Sequence, residues 1–526
     1  MKKLLTFIVT LFLVACGAVA DAPVGQPQPD TQVSGDTTQL DTGAHLVWVT
    51  PSDAISLDPH RVGDHPSWNA QAQIFEGLTW FDESDDLQPR LAYSFEQIEP
   101  TVWQFILREG VYFTDGAPFN AYAVALSFER LLDPITGSPV ATTLFDMISE
   151  VVAVDNYIVH IYTYFAFSPL PSHLTHMGAY IVSPLTIHEE RSGGTLVNDN
   201  PVGTGPFMLS QWVHGDRKYF VPNPTHWAGQ VHIDSLTFQV IPETATRHAM
   251  IEIGEAHGHA GTAMNIPVYR ELAQNPGIEY FIVIPPSIDY IGFNLNNEFL
   301  ANQYVRRAIN AAIDRDAILA IFEGNALLAA SAASPQVDFA PQGMTVPVRN
   351  LDYARELLSQ TPWPEGGFTL RYWYNVGNPG RSLIGQLLQA NLADIGIQVV
   401  IEAIEWGAFL AAASAGEHDM FILGWSTVTM DADRAFFGMH HSSNHGAYGN
   451  RFWYSNPVAD ELLEAGRTET DPVQRQAIYN EIGALLAYDL PMIPLVFSYS
   501  PFITNGISGF HADQRSVPFF HNVTLH

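Results

Sequence analysis

The sequence predicts an α/β protein made of several domain-sized units. Three observations carry that prediction. The chain has 526 residues, too many for one hydrophobic core and of the order of three units by length. Strand-like and helix-like patterns alternate through its second half. Finally, Met420 to Leu423 form an unbroken apolar run, the pattern of a strand buried on both faces. That run stops at Gly424, puts out Trp425 and continues into a polar loop with Asp431, Asp433 and Arg434. In open α/β sheets, ligands sit just beyond the carboxyl ends of strands. The strand is therefore a candidate wall of a solute pocket, although a core strand whose Trp caps the packing fits the same residues.

With 55 acidic against 23 basic residues, the formal net charge is -32. Such a field repels phosphates and anionic lipid, which argues against nucleic acid as a partner. A pocket's local charge can still oppose the total. At the N-terminus, Lys2-Lys3 precede an apolar run from Leu4 to Val14, and Cys16 follows Leu13-Val14-Ala15. The run is far short of the ~20 residues that span a bilayer, so residues 1–15 read as an export signal. Cys16, the only cysteine, stands where a bacterial lipobox would be cut and acylated, and it excludes intrachain disulfides and Cys-based metal sites. Residues 16–43, rich in Pro, Gln, Asp, Thr and Gly, read as a flexible tether on a lipid anchor.

Taken in order, Ala44 to Thr50 is a strand candidate, and Gln71 to Trp80 the end of a helix stopped by Gly77. Trp103 to Arg108 alternates as a strand, Asn120 caps a helix over Ala121 to Leu132, and Val151 to Tyr164 is a hairpin. Pro201 to Phe207 (PVGTGPF) lacks the Lys-Ser/Thr and helix start of a phosphate loop. Val305 to Leu319 has helical spacing, and Phe368 to Tyr374 reads as a strand. Ser382 to Ile395 is a helix, Gln398 to Ile404 a strand, and a helix runs from Trp406 through Ala413. Val458 to Gly466 and Pro472 to Tyr488 are helices, and Pro491 to Phe497 brings the chain back.

Several stretches together resemble one family. They are IFEGL, FILREGVYFTDGAPFNAYAVALSFERLLDP, PVGTGPF, IGFNLNNEFLANQYVRRAINAAIDRDAI, LADIGIQVVIEAIEW, GEHDMFILGW and YSNPVADELL. In this order they are similar to solute-binding protein family 5, the extracytoplasmic receptors of peptide, oligopeptide and nickel ABC importers. The resemblance covers nearly everything from about residue 45 onward. It implies a two-lobed periplasmic-binding-protein-like fold of class II type. Lobe I would hold 44–290, with an extra subdomain at 75–200, and lobe II 291–499, with 500–526 returning to lobe I. Chain crossings would fall near Tyr290 to Asn294 and Phe497 to Pro501. It further implies capture of a peptide or peptide-like solute by a monomer, delivery to a permease and ATPase complex, and no cofactor. The location would be extracytoplasmic, in a periplasm or at a cell surface.

In peptide-binding members, a carboxylate three residues after the Trp receives the ligand's α-amino group. Val428 stands there in this chain. Either Asp431 or Asp433 takes that role from a shifted loop, or the ligand has no free amine there. GWSTVTMDAD is nearer to members labelled glutathione importers. Trp425 is the leading contact, since a flat amphipathic ring covers an apolar face and still hydrogen-bonds. Arg381, after Gly377-Asn-Pro-Gly380 at a helix start, suits a carboxylate. Asn294, Thr204 and Asp58 lie on loops expected near the cleft, where a structural role competes with ligand contact.

A metal chelate is the runner-up cargo. His440, His441 and His445 are the densest imidazole set, but adjacent side chains on a strand diverge and no carboxylate completes the spacing. His257 and His259 read as solvent-exposed loop residues. An exported hydrolase is a third possibility, but the chain has no His-Glu-x-x-His, no Gly-x-Ser-x-Gly and no usable Cys nucleophile.

Overall fold

The computed structural model describes residues 43–262, 265–376, 378–446 and 449–526. The export signal, Cys16 and residues 16–42 of the tether lie outside the described residues, as does Gly377 of the turn before Arg381.

Strand β1 (His45–Thr50) opens the body with Leu46, Trp48 and Val49 buried. Helix α1 (His65–Ile74) follows, its first turn held by Asp64, whose carboxylate accepts from the Ser67 amide at 3.0 Å. The sequence pattern carried this helix on to Gly77, but it ends at Ile74. The Gly205 amide takes the Ile74 carbonyl at 2.8 Å, the acceptor that a further turn would need. A Cβ at Gly203 would lie 2.1 Å from the same oxygen, so the PVGTGPF glycines exist for close approach to α1.

The next elements are β2 (Ala92–Glu99), β3 (Val102–Leu107), α2 (Ala121–Leu132), β4 (Ile148–Asp155) and β5 (Ile158–Thr163). Their strands form an antiparallel sheet in the order β2-β3-β5-β4. Asn120 caps α2, accepting from the Ala123 amide at 3.1 Å. Phe105, Val124, Phe128 and Ile161 are part of the separate core of this piece. The chain then adds β6 (Phe207–Val213), β7 (Arg217–Pro222), β8 (Ser235–Val240), β9 (Gly258–Ala260) and β10 (Ile278–Val283) to the sheet begun by β1.

Lobe II is built on β11 (Ser287–Phe293), with α3 (Gln303–Ala312), α4 (Arg315–Ile321), β12 (Ala326–Leu328), β13 (Thr369–Asn375) and α5 (Pro379–Ala393). It continues through β14 (Gln398–Ile404), β15 (Met420–Ser426), α6 (Ala432–His440), α7 (Pro457–Thr468), α8 (Pro472–Asp489) and β16 (Met492–Ser498). Its sheet has the order β12-β16-β11-β15-β13-β14, with β13 parallel to β14 and β15. Finally β17 (Ser500–Asn505) returns to the first sheet, whose order is β10-β17-β9-β1-β8-β7-β6.

The chain therefore passes between the sheets twice, at residues 284–286 and at Tyr499. The first passage is earlier than the Tyr290 to Asn294 expected from the sequence. Tyr290 and Ile291 are mid-strand in β11, paired with Leu423 and Ile422. Pro285 and Pro286 lack the amide donors that would continue a ladder, and so mark the break. The expected helix from Val305 to Leu319 is two helices. Ile313 is extended, and Asp314 starts α4 by accepting from the Ala317 amide at 2.9 Å.

Candidate functional site

A cavity of ≈ 650 Å³ lies between the two sheets, within the size of ordinary small-molecule sites. Trp48 to Ser52 supply one wall from the carboxyl end of β1. Gly424 and Ser426 supply the other from the end of β15, with Asp289 on β11 and Arg381 on α5. Pro285 and Tyr499, at the two crossings, close the back. The cavity thus occupies the place where α/β sheets bind ligands, beyond strand carboxyl ends.

Alternation along β15 decides what reaches this space. Met420 and Ile422 pack into one lobe II core, with Gly424 and Ser426 next on that face and lining the cavity. Phe421 and Leu423 face the opposite core, and Trp425 packs with them. The Trp425 indole donates to the Arg434 carbonyl at 3.0 Å, under a guanidinium 4.5 Å from its ring. It is a packing residue of α6 and does not line the interlobe cavity.

Arg381 does line it. Asn378 caps α5 by accepting from the Arg381 amide at 3.0 Å. The side chain then donates to Asn375 Oδ1 at 2.9 Å and to Asp289 Oδ1 at 2.8 Å. Gly424 makes this possible: a Cβ there would stand 3.3 Å from Arg381 Nη2.

The remaining candidates are engaged elsewhere. Asp431 caps α6 and receives both ends of the Arg475 guanidinium at 2.6 and 2.7 Å, fully buried. The loop expected after Trp425 is therefore largely helix, with Asp431 turned into the core. Asp433, its pKa raised by burial, pairs with Arg467 at 3.1 Å and stands 3.9 Å from His173 Nε2 of the other lobe. It lines a separate chamber of ≈ 330 Å³ with Asp146, Arg434 and Arg467. Asn294 donates to the carbonyls of Gly416 and His418, both at 2.8 Å, fixing the approach to β15. Thr204 donates to Glu76 at 2.8 Å. Asp58 takes the Arg130 guanidinium at 2.5 and 3.0 Å, buried with it. Val428 is half-buried and packs against the cores of lobe I and of the piece carrying β2 to β5.

The histidines also separate. His440 Nδ1 meets the Phe436 carbonyl at 3.1 Å, His441 Nε2 meets Glu464 at 3.3 Å, and His445 Nε2 meets the Tyr454 carbonyl at 2.9 Å. Among the described residues no group of three metal-ligating side chains converges. Contrary to the exposure expected of them, His259 is fully buried against Tyr269 and His257 is half-buried, accepting from the Val47 amide at 3.0 Å.

Sequence reasoning missed Asp289, Arg247 and Arg515. Arg515 is paired with Asp513 and Arg381 with Asp289, whereas Arg247 bonds the carbonyls of Ile241 and Pro242 and the Thr244 hydroxyl. Burial lowers the Arg247 pKa, but not enough to discharge a guanidinium. Among the described residues the cavity lining thus holds three guanidinium groups and one carboxylate. Asp289 is paired with Arg381 and Asp513, outside the lining, with Arg515, which leaves Arg247 without a carboxylate in a chain whose formal charge is -32. Nothing in the local sequence around Arg247 distinguishes it; only the fold brings it to this wall.

Two lobes, two crossings and a shared cavity between strand ends define a two-lobed solute-binding protein. Residues 86–447 match the family described as Bacterial extracellular solute-binding proteins, family 5 Middle, and the chain belongs to it. The chain is 30% identical over 464 residues to the glutathione-binding protein GsiB of Escherichia coli (strain K12), covering 86% of this chain and 88% of that one. It is 26% identical, with a TM-score of 0.76, to the periplasmic binding protein DppA from Helicobacter pylori in complex with the peptide STSA, over 92% of this chain and 98% of that one. HbpA2 from Haemophilus parasuis shares the fold, with a TM-score of 0.83 at 23% identity over 92% of this chain and all of the other.

Proposed function

We propose that the protein is the solute receptor of an ABC importer and that its cargo is a short, carboxylate-bearing peptide-like molecule of the glutathione type. The observation that carries this is the cationic interlobe cavity, in which Arg247 has no carboxylate partner among the described residues and Arg381 is held by one. The likeness to GsiB and to a peptide-loaded DppA supports the same cargo class. An α-amino group has no carboxylate to meet at Val428, and Asp431, Asp433 and the cavity's own Asp289 are already paired with Arg475, Arg467 and Arg381. The ligand is accordingly anchored by its carboxylates rather than its amine.

In this reading a lipid on Cys16 tethers a monomer outside the cytoplasmic membrane. The lobes close on the solute and the closed form docks on a permease driven by its ATPase; the receptor leaves the solute unaltered. Calorimetric titration with glutathione, its amidated forms and di- to pentapeptides tests the proposal. Free carboxylates should bind, amidated forms should bind about ten- to a hundredfold more weakly, and Arg381→Ala should reproduce that loss. Binding that survives amidation, or that EDTA abolishes, would sink it.

A further inference from the structure

Arg315, in the first turn of α4, is 5% exposed. Its Nη2 donates to Asn310 Oδ1 at 2.5 Å, while Nε and Nη1 have no hydrogen-bond partner among the described residues. Burial alone pushes its pKa down to about 10, with no carboxylate to offset the desolvation. Of the other buried arginines among the described residues, Arg247, on the interlobe cavity, likewise lacks a carboxylate but is bonded to two carbonyls and the Thr244 hydroxyl. Arg130, Arg475 and Arg515 each meet a carboxylate, and Arg306 is surrounded by the carbonyls of Leu300, Ala301, Asp489 and Leu490. A buried guanidinium left without acceptors is costly.

The side chain lines a cavity of ≈ 90 Å³ in lobe II, walled by the segment from Ala329 to Pro347, by α6 and by α8. That is room for about half a dozen water-sized groups, too little for a peptide. The polar groups at the wall are suited to an anion. Asn310 has committed its oxygen to Arg315, which leaves its amide nitrogen to donate. His440 is held neutral, its pKa lowered to about 4 by burial. The other walls are largely apolar, including Met344, Leu486 and Pro494. Among the described residues no Asp or Glu lines the cavity.

We propose that lobe II carries an accessory site for a small aliphatic carboxylate, bound by Arg315 and Asn310 and distinct from the interlobe cavity. The charge of Arg315 takes the carboxylate, and the Met344 and Leu486 side takes a short alkyl group. Bound there, the anion ties α4 to α8 and β16 and raises the stability of lobe II.

The test is thermal unfolding of the full protein at fixed ionic strength, with gluconate replaced stepwise by acetate, propionate, chloride or phosphate. Acetate and propionate should give a saturable rise in Tm of roughly 1–3 °C. The rise should vanish in Arg315→Met and in Ala487→Phe, which places a large ring at an exposed rim position on α8 and leaves the charge intact. It should persist in Arg381→Ala. Calorimetry should show affinity for propionate falling at least tenfold in Arg315→Met; if that variant does not fold, Ala487→Phe decides. Absence of saturation, saturation by chloride or phosphate alone, or loss of the response in Arg381→Ala with retention in Ala487→Phe would each overturn the proposal.

Discussion

Asp431 shows how one residue can look functional in a sequence and be structural in the fold. Its setting, two carboxylates and an arginine just past a buried strand, is that of a ligand loop. In the folded chain its oxygens are taken by Arg475 and by the amide of Asp433. Truncating one partner of a buried ion pair leaves the other charge uncompensated, at a cost of ~3–5 kcal/mol. Asp431→Ala should therefore lower the urea midpoint sharply while leaving glutathione or peptide affinity unchanged in the fraction that remains folded. A stable variant that has lost affinity would return Asp431 to the site. The position of Arg381 could be read from the sequence because its signals are local: an Asn cap, a turn and a helix start. Asp289 and Arg247 could not, because each is placed by a partner element far away in the chain.

At the scale of elements, periodicity and turn chemistry identified most strands and helices, as at Ala121–Leu132 and Gln398–Ile404, where the boundaries coincide. The failures occur where a tertiary hydrogen bond overrides a continuous pattern. Val305 to Leu319 has an unbroken helical spacing, yet the Asp314 amide donates to Asn391 on α5 at 2.8 Å, and its carboxylate caps a new helix. Helical periodicity does not register two extended residues, Ile313 and Asp314, between two helices. The cap is testable: Asp314→Ala should cost about 1 kcal/mol in urea unfolding, and Asp314→Asn much less. Equal losses for both would show that the charge rather than the cap matters. The polar stretch after Trp425 failed for a related reason. Its carboxylates stand at the cap and first turn of α6, a common place for acids, and there they serve the helix and pair with Arg475 and Arg467.

At the scale of the whole molecule, both acid sensitivity and closure follow from what is buried. Six histidines, His60, His173, His176, His259, His418 and His440, are buried, with pKa values lowered to about 3 or 4 chiefly by desolvation. Above about pH 6.5 neither the folded nor the unfolded chain protonates them. Below it the unfolded chain takes up protons that the fold refuses until about pH 4, so stability should fall as the pH drops through that window. Each histidine contributes a slope of up to about 1.4 kcal/mol per pH unit. Urea midpoints that stay flat from pH 7 to 5 would contradict this burial. If the lobes close on a solute as proposed, contacts outside the cavity bridge them as well. The Arg467 carbonyl on α7 accepts from the Ser168 amide across the lobes at 3.0 Å. Its guanidinium lies 3.8 Å from the Phe437 ring and 5.0 and 5.2 Å from Phe167 and Phe165 of the opposite side, while pairing with Asp433. Being independent of the cavity, these contacts should favour the proposed closed arrangement whatever solute is inside. Removing about 1.4 kcal/mol from a closed state that no longer predominates raises the apparent Kd tenfold, because only the closed-competent fraction binds. Arg467→Ala should therefore weaken glutathione and unrelated peptides by the same factor, with the ligand-free protein more extended in small-angle scattering. Unequal losses among ligands would mean that Arg467 touches the cargo itself, and unchanged affinity would mean that closure does not depend on this contact.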